Sequence, residues 1–109
     1  MPSRVRNVAV KADRTYKGIV YDSKAEAKRA FELDMLKAAG KVLWWERQIA
    51  FPLLVEGKLI CKFVVDFEVH APTEKYYEEI KGWETPEYKL KLKLFKALYP
   101  FIDYRIIKA

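Results

Sequence analysis

From Ala27 onward, apolar side chains at Ala30, Phe31, Met35 and Ala38 recur at the three- and four-residue spacing that gathers them along one side of a helix. Ser23 followed by Glu26 makes a capping-box start for that helix, and Gly40 supplies a stop. The pattern then changes period. Residues 42–55 are rich in β-branched and aromatic types, Glu56-Gly57 reads as a turn, and residues 59–69 read as a second strand, so the two predict a hairpin. Pro52 lacks an N–H for a ladder, which predicts an edge strand or a bulge near it.

After a polar turn at residues 71–75, residues 76–81 predict a short third strand ended by Gly82. Thr85 caps a second helix with Pro86 at its first position and Pro100 just beyond its end, giving a helix over residues 86–99. Its apolar side is Leu90, Leu94, Phe95 and Leu98. Residues 101–107 alternate as a last strand. The predicted order is therefore helix, strand, strand, strand, helix, strand: an α/β fold in which helices flank a mixed sheet. Residues 16–21 fit either a short hairpin or an extended lead-in, and residues 1–15, polar and without sustained periodicity, predict a basic amino-terminal arm. The remainder, 16–109, predicts a single domain.

Composition narrows the chemistry. The chain is 51% hydrophobic and 15% aromatic, enough to offset the entropy of folding. No apolar run approaches a membrane span, and residues 1–6 lack the apolar stretch of a signal peptide, so a cytoplasmic setting without membrane is expected. Cys61 and His70 are the only residues of their types, which excludes an intrachain disulfide and a cysteine/histidine zinc site within one chain. A metal would be held by carboxylates. The net charge of +6 is uneven: residues 1–24 carry six Lys/Arg against two acids, residues 80–109 seven against three, and the middle eight against ten. Basic flanks around an acidic centre suit a protein that grips a polyanion while its carboxylates hold a cation; a merely soluble basic protein would look similar.

In the second strand, Cys61, Phe63, Val65, Phe67 and Val69 share one face, and Lys62, Val64, Asp66, Glu68 and His70 share the other. The third strand puts Tyr77, Glu79 and Lys81 together by the same period. If these strands are neighbours, Asp66, Glu79 and Lys81 converge. Two adjacent carboxylates repel unless a divalent cation lies between them; Mg²⁺, with Mn²⁺ as a substitute, suits such hard oxygen ligands. A lysine beside the metal can orient the attacking water and neutralise charge developing on a phosphate. The acid-x-lysine triplet alone is weak evidence, since the chain has five; only Glu79 to Lys81 lies in a predicted strand soon after another strand bearing Asp.

The stretch Asp22-Ser23-Lys24-Ala25-Glu26-Ala27, then Val65-Asp66-Phe67, then Glu78-Glu79-Ile80-Lys81-Gly82 resembles the PD-(D/E)XK nuclease superfamily, with the same element order. More closely it resembles a small, largely uncharacterised family common in bacteriophages and prophages, whose pattern Gly40, Gln48, Thr85 and Tyr88 also match. The likeness covers residues 16–99. It implies a restriction-endonuclease-like core, Asp66 and Glu79 as metal ligands, Lys81 as catalytic lysine and Glu26 as a further acid at the metal. No proline precedes Asp66, where Val65 stands instead; many superfamily members also lack it, and the departure lowers only the specificity of the match.

The resemblance implies a metal-dependent DNA endonuclease leaving 5′-phosphate ends, selective for branched DNA such as a Holliday junction, acting in phage DNA processing or recombination, and a homodimer, since two strands need two sites. Alternatives are a non-catalytic DNA-binding module on the same fold and an RNA-directed nuclease.

Structural readings stand beside these. Glu26 is also the residue a capping box places third for purely local reasons. Glu78 has opposite parity to Glu79 and points away, as in an ion pair. Lys89, Lys93 and Lys96 form one stripe of the second helix, and with Arg4, Arg6 and Lys17 are candidate DNA contacts or simply a solvated surface. Trp83, beside Lys81-Gly82, suits either base stacking or the core.

Overall fold

The computed structural model describes residues 10–108, so the candidate DNA contacts Arg4 and Arg6 lie outside the described residues. The elements are a 3-10 turn Lys11–Arg14, β1 Thr15–Tyr16, β2 Ile19–Val20, α1 Lys24–Ala38, β3 Trp44–Val55, β4 Lys58–His70, β5 Lys75–Ile80, α2 Pro86–Leu98 and β6 Tyr104–Ile107. They gather into two compact units that meet in sequence at Val42 and Leu43, where the sequence reading expects one domain.

In the first unit, residues 16–21 resolve as a hairpin, Thr15 opposite Val20 and Tyr16 opposite Ile19. Lys17 at φ 51° and Gly18 at φ 80° form its two-residue turn, the left-handed geometry whose twist matches paired strands. Residues 11–15, the end of the expected arm, are folded onto this hairpin. Arg14 Nη1 donates to the Tyr21 carbonyl at 2.6 Å, and the Tyr21 N–H donates to the Arg14 carbonyl at 2.8 Å.

Helix α1 begins as its sequence predicts, with Ser23 Oγ accepting the Glu26 N–H at 3.1 Å. It ends on Gly40 at φ 80°, which turns the chain so that the Gly40 and Lys41 amides reach the Lys37 and Leu36 carbonyls at 3.0 and 2.9 Å. The buried stripe is Ala27, Ala30 and Leu33, whereas Phe31 and Met35 are exposed. Phe31 sits about 100° around the helix from Ala30, and its ring meets Tyr16 edge-on at 6.0 Å instead.

The second unit is a mixed four-stranded sheet in the order β3-β4-β5-β6, antiparallel at the first two junctions and parallel at the last. The element order from α1 to β6 is the expected one. Glu56 and Gly57, both at positive φ, close the long β3–β4 hairpin. Pro52 lies on the edge strand β3, where its missing N–H costs nothing, and its carbonyl accepts the Tyr99 hydroxyl at 2.7 Å. The pairing shifts immediately afterwards, between Leu53 and Leu54.

Thr85 Oγ1 accepts the Tyr88 N–H at 3.0 Å and starts α2, with Pro86 in the first turn. The helix packs its Phe95 into a core of Phe51, Leu53, Phe63, Val65 and Tyr77. Phe95 stacks on Phe63 at 4.6 Å and meets Phe51, Tyr99 and Tyr104 at 5.0, 5.6 and 5.6 Å. Leu92 and Leu94 join this core, while Leu90 is exposed, so the apolar side of α2 is rotated from the expected one. Strand β6 starts at Tyr104, later than expected. Residues before it form a turn in which the Ile102 N–H donates to the Tyr99 carbonyl at 3.2 Å, and Phe101 is left outside the core.

Because Phe95 is fully buried among four rings, Phe95→Ala leaves a large void. The substitution is expected to destabilise the protein by about 3–5 kcal/mol, read as a lowered urea midpoint with an unchanged denaturant slope.

Candidate active site

The site forms where two strands part. The β4–β5 ladder runs from His70 opposite Lys75 to Phe67 opposite Glu78 and ends there, so the next positions along the register are Asp66 and Glu79. Residues facing each other across an antiparallel pair share a sheet face. The Glu68–Tyr77 pair, two positions back, shows this directly, since the Tyr77 hydroxyl donates to Glu68 Oε2 at 3.2 Å.

Along β5 the Tyr77 and Lys81 amides donate to the β6-side carbonyls of Asp103 and Ile107 at 2.8 and 2.9 Å. Successive strand amides alternate between edges, so the Ile80 N–H points back towards β4. Beyond the last ladder pair it meets Asp66 Oδ2 at 2.7 Å. Asp66 therefore stands in a strand despite the low β-propensity of aspartate because its carboxylate replaces a missing ladder acceptor.

On the other side of β4, Gln48 of β3 drops out of the register between Arg47–Phe67 and Ile49–Val65, and has φ 54°. A left-handed glutamine costs roughly 1–2 kcal/mol. The strain sits at the level of Asp66, so both neighbours of β4 break regular pairing at that residue.

Glu79 and Lys81 line one cavity of about 100 Å³ with Ile80, Gly82, Trp83, Glu84, Tyr88 and Ile106. Glu79 also borders a second cavity of about 350 Å³, whose lining includes Lys62, Thr85, Glu87, Tyr88 and Lys91. Lys81 Nζ pairs with Glu84 Oε2 at 3.3 Å, and the lysine side chain is 50% exposed. The Tyr88 and Tyr104 hydroxyls share a hydrogen bond at 2.9 Å. Burial, then the Tyr88 hydroxyl and the charges of Glu79 and Asp66, hold the Tyr104 phenol far above its usual range. Burial raises Tyr88 too, against its bond to Tyr104, with Glu79, Glu84 and Asp66 adding to the rise. The carboxylates and the tyrosine pair thus act on one another, and the phenols stay protonated. Nothing in the sequence singles out Tyr104 or Glu84, since strand alternation makes Tyr104 look like any other sheet residue.

Among the described residues, no three His, Cys, Asp or Glu side chains stand close enough to enclose a metal ion. The donor set nevertheless fits Mg²⁺, which usually takes one or two carboxylates and completes its octahedron with waters and substrate phosphates. Asp66 and Glu79 supply hard oxygens, and the cavities beside Glu79 have room for water at about 30 Å³ per molecule.

The other candidates have contacts of their own. Glu26 belongs to the first unit and fills the third position of the α1 cap, with Oε2 3.4 Å from Ser23 Oγ. Lys17 is also in that unit and pairs with Asp34 at 3.2 Å. Lys89 and Lys93 are exposed on α2, and Lys96 lies 5.9 Å over the Tyr104 ring. Glu78 is buried on the sheet face opposite Glu79. His70 stacks on Trp44 at 3.6 Å and approaches Glu68 Oε2 at 3.1 Å.

These features define a mixed α/β protein with two carboxylates, a lysine and a tyrosine pair gathered where β4 and β5 separate. The chain belongs to the family described as "Protein of unknown function (DUF1064)", whose model matches residues 8–109. No curated protein and no solved structure matches the chain.

Next to the site, Glu68 Oε2 also receives Lys75 Nζ at 3.2 Å. Burial alone would push the Glu68 carboxyl up, but hydrogen bonds from Lys75, His70 and Tyr77 outweigh it and hold the group below its usual value of 4.5. Ionised Glu68 therefore adds stability that is complete above that value and is lost as pH falls through the lower folded one. Urea unfolding from neutral pH downward should show the stability gap between the native protein and Glu68→Gln closing across the carboxylate range.

Proposed function

We propose that this protein is a divalent-metal-dependent endonuclease of the PD-(D/E)XK type that hydrolyses DNA phosphodiester bonds. One observation carries the reading: Asp66, held by the Ile80 amide where β4 and β5 part, faces Glu79 in the extended register, and Lys81 lines the same cavity as Glu79. In this reading Asp66 and Glu79 hold Mg²⁺, or Mn²⁺ in its place. The bound ion supplies a water of lowered pKa and neutralises charge on the phosphate.

The protein's own groups do the rest. The Ile80 N–H fixes the orientation of Asp66 before any ligand arrives, so little ordering is left for binding. An exposed lysine–glutamate pair is worth only about 0–1 kcal/mol, so Lys81 Nζ exchanges Glu84 for a phosphate oxygen or the attacking water at small cost. The Tyr88–Tyr104 pair, kept neutral by burial and the nearby carboxylates, presents an O–H donor without adding a third negative charge. In-line attack by water then leaves a 5′-phosphate end, as the superfamily resemblance implies. The likeness to a family common in bacteriophages and prophages extends the proposal to branched DNA in recombination or processing, with a homodimer cutting both strands.

Asp66→Asn keeps an oxygen for the Ile80 amide while removing charge, and Lys81→Ala removes a half-exposed side chain. Both are expected to melt close to the native protein and to cleave DNA at least about a hundredfold more slowly, with chelation abolishing cleavage by all. Glu26→Gln, which keeps the cap chemistry, loses cleavage at an unchanged melting temperature if Glu26 is a site acid, and keeps it if the residue is only a cap. Cleavage of RNA but not DNA, or of neither by folded protein, overturns the proposal.

The α2 lysines generate a separate expectation. Neutralising Lys89, Lys93 and Lys96 should make the salt dependence of DNA binding shallower, by a log-log slope of about 0.9 for each phosphate no longer neutralised. Measured on Asp66→Asn with chelator present so that nothing is cut, an unchanged slope removes that stripe from the DNA surface.

A further inference from the structure

Trp83 is 90% exposed, although an indole is among the largest apolar groups a protein can leave in water. The other two tryptophans are partnered, Trp44 by His70 and Trp45 by Phe67. Trp83 sits on the short connection between β5 and α2, and that connection is held at both ends. The Lys81 N–H is fastened to the Ile107 carbonyl at 2.9 Å, and the Thr85 side chain caps α2. The indole is thus presented on an anchored loop, and it lines the cavity that holds Glu79 and Lys81.

We propose that Trp83 stacks on an unpaired base next to the cleaved phosphate and thereby selects DNA containing single-stranded or branch-point nucleotides. The inference rests on the endonuclease reading and deepens it by naming the residue that recognises unpaired nucleotides. A cavity of about 100 Å³ has room for a few waters and not for a nucleotide, so the base remains outside, against the exposed indole, while its phosphate approaches Lys81. Inside a duplex both faces of each base are already stacked. Only an unpaired base offers a free face, and every base has one, so the preference is for structure and not for sequence.

The test uses the intact protein, chelator to prevent cutting, and two probes: a single-stranded oligonucleotide and the same strand in a blunt duplex. Trp83→Ala is expected to weaken single-strand binding about tenfold and leave duplex binding unchanged, with Trp83→Phe retaining most of the affinity. The salt slope should not move, because no charge is removed. An abasic single strand should bind the native protein and Trp83→Ala equally. Equal loss on both probes, no loss on either, or no single-strand binding by the native protein overturns the proposal. Because no arm requires turnover, failure of cleavage in the Mg²⁺ assay sinks the nuclease reading separately, and normal cleavage with unaltered binding by Trp83→Ala sinks only the stacking.

Discussion

Beyond Glu78 the backbone of β5 has a donor and no ladder to give it to. The Ile80 amide faces β4, Ile80 itself is buried, and an amide left unmade in such a place costs about 1–3 kcal/mol. Asp66 answers it at 2.7 Å. That one hydrogen bond lets β5 leave β4 and continue beside β6 without an orphaned amide. It also leaves the Asp66 carboxylate between diverging strands, where regular pairing would have left no room for it. Glu79, the cavities beside it and the tyrosine pair all lie around this opening.

The strain at Gln48 belongs to the same event. A non-glycine residue in the left-handed region persists only where its surroundings impose it, and here it interrupts β3 at the level of Asp66. Central strand β4 thus loses regular partners on both edges at one residue. The double interruption is what frees the Asp66 carboxylate from regular pairing to accept the Ile80 amide.

Charge is distributed with similar economy. Several basic side chains are engaged in ion pairs: Lys17 with Asp34, Lys75 with Glu68, Lys91 with Glu87, and Arg105 with Asp103 and Glu74. Arg105 also lies 3.7 Å over the Tyr76 ring. These pairs leave the net charge of +6 unchanged and show only where its local fields cancel. What counts near the candidate site is narrower: Lys81 in an exchangeable pair, Lys62 and Lys91 at the larger cavity, and the exposed lysines of α2.

Local chemistry by itself determined most of the elements. Ser23 and Thr85 cap helices, Gly40 ends one and Glu56-Gly57 turns a hairpin, because each acts on amides or dihedrals within a few residues of itself. Strand parity likewise separated Glu78 from Glu79 and put Asp66 on the face away from Phe67. Ala30 and Leu33 were legible as the buried stripe of α1, but the sequence could not say that Phe31 and Met35 are left exposed beside them, or that Leu92 rather than Leu90 packs against the core on α2, since neighbouring stripes of a helix are equally apolar and the surrounding packing chooses between them. Nor could it show that Tyr104 meets Tyr88, or that Asp66 serves the Ile80 amide. Those pairs join residues 14 or 16 positions apart, and they exist only because the parallel β5–β6 pair turns one edge of β5 towards β4 where the antiparallel ladder has run out.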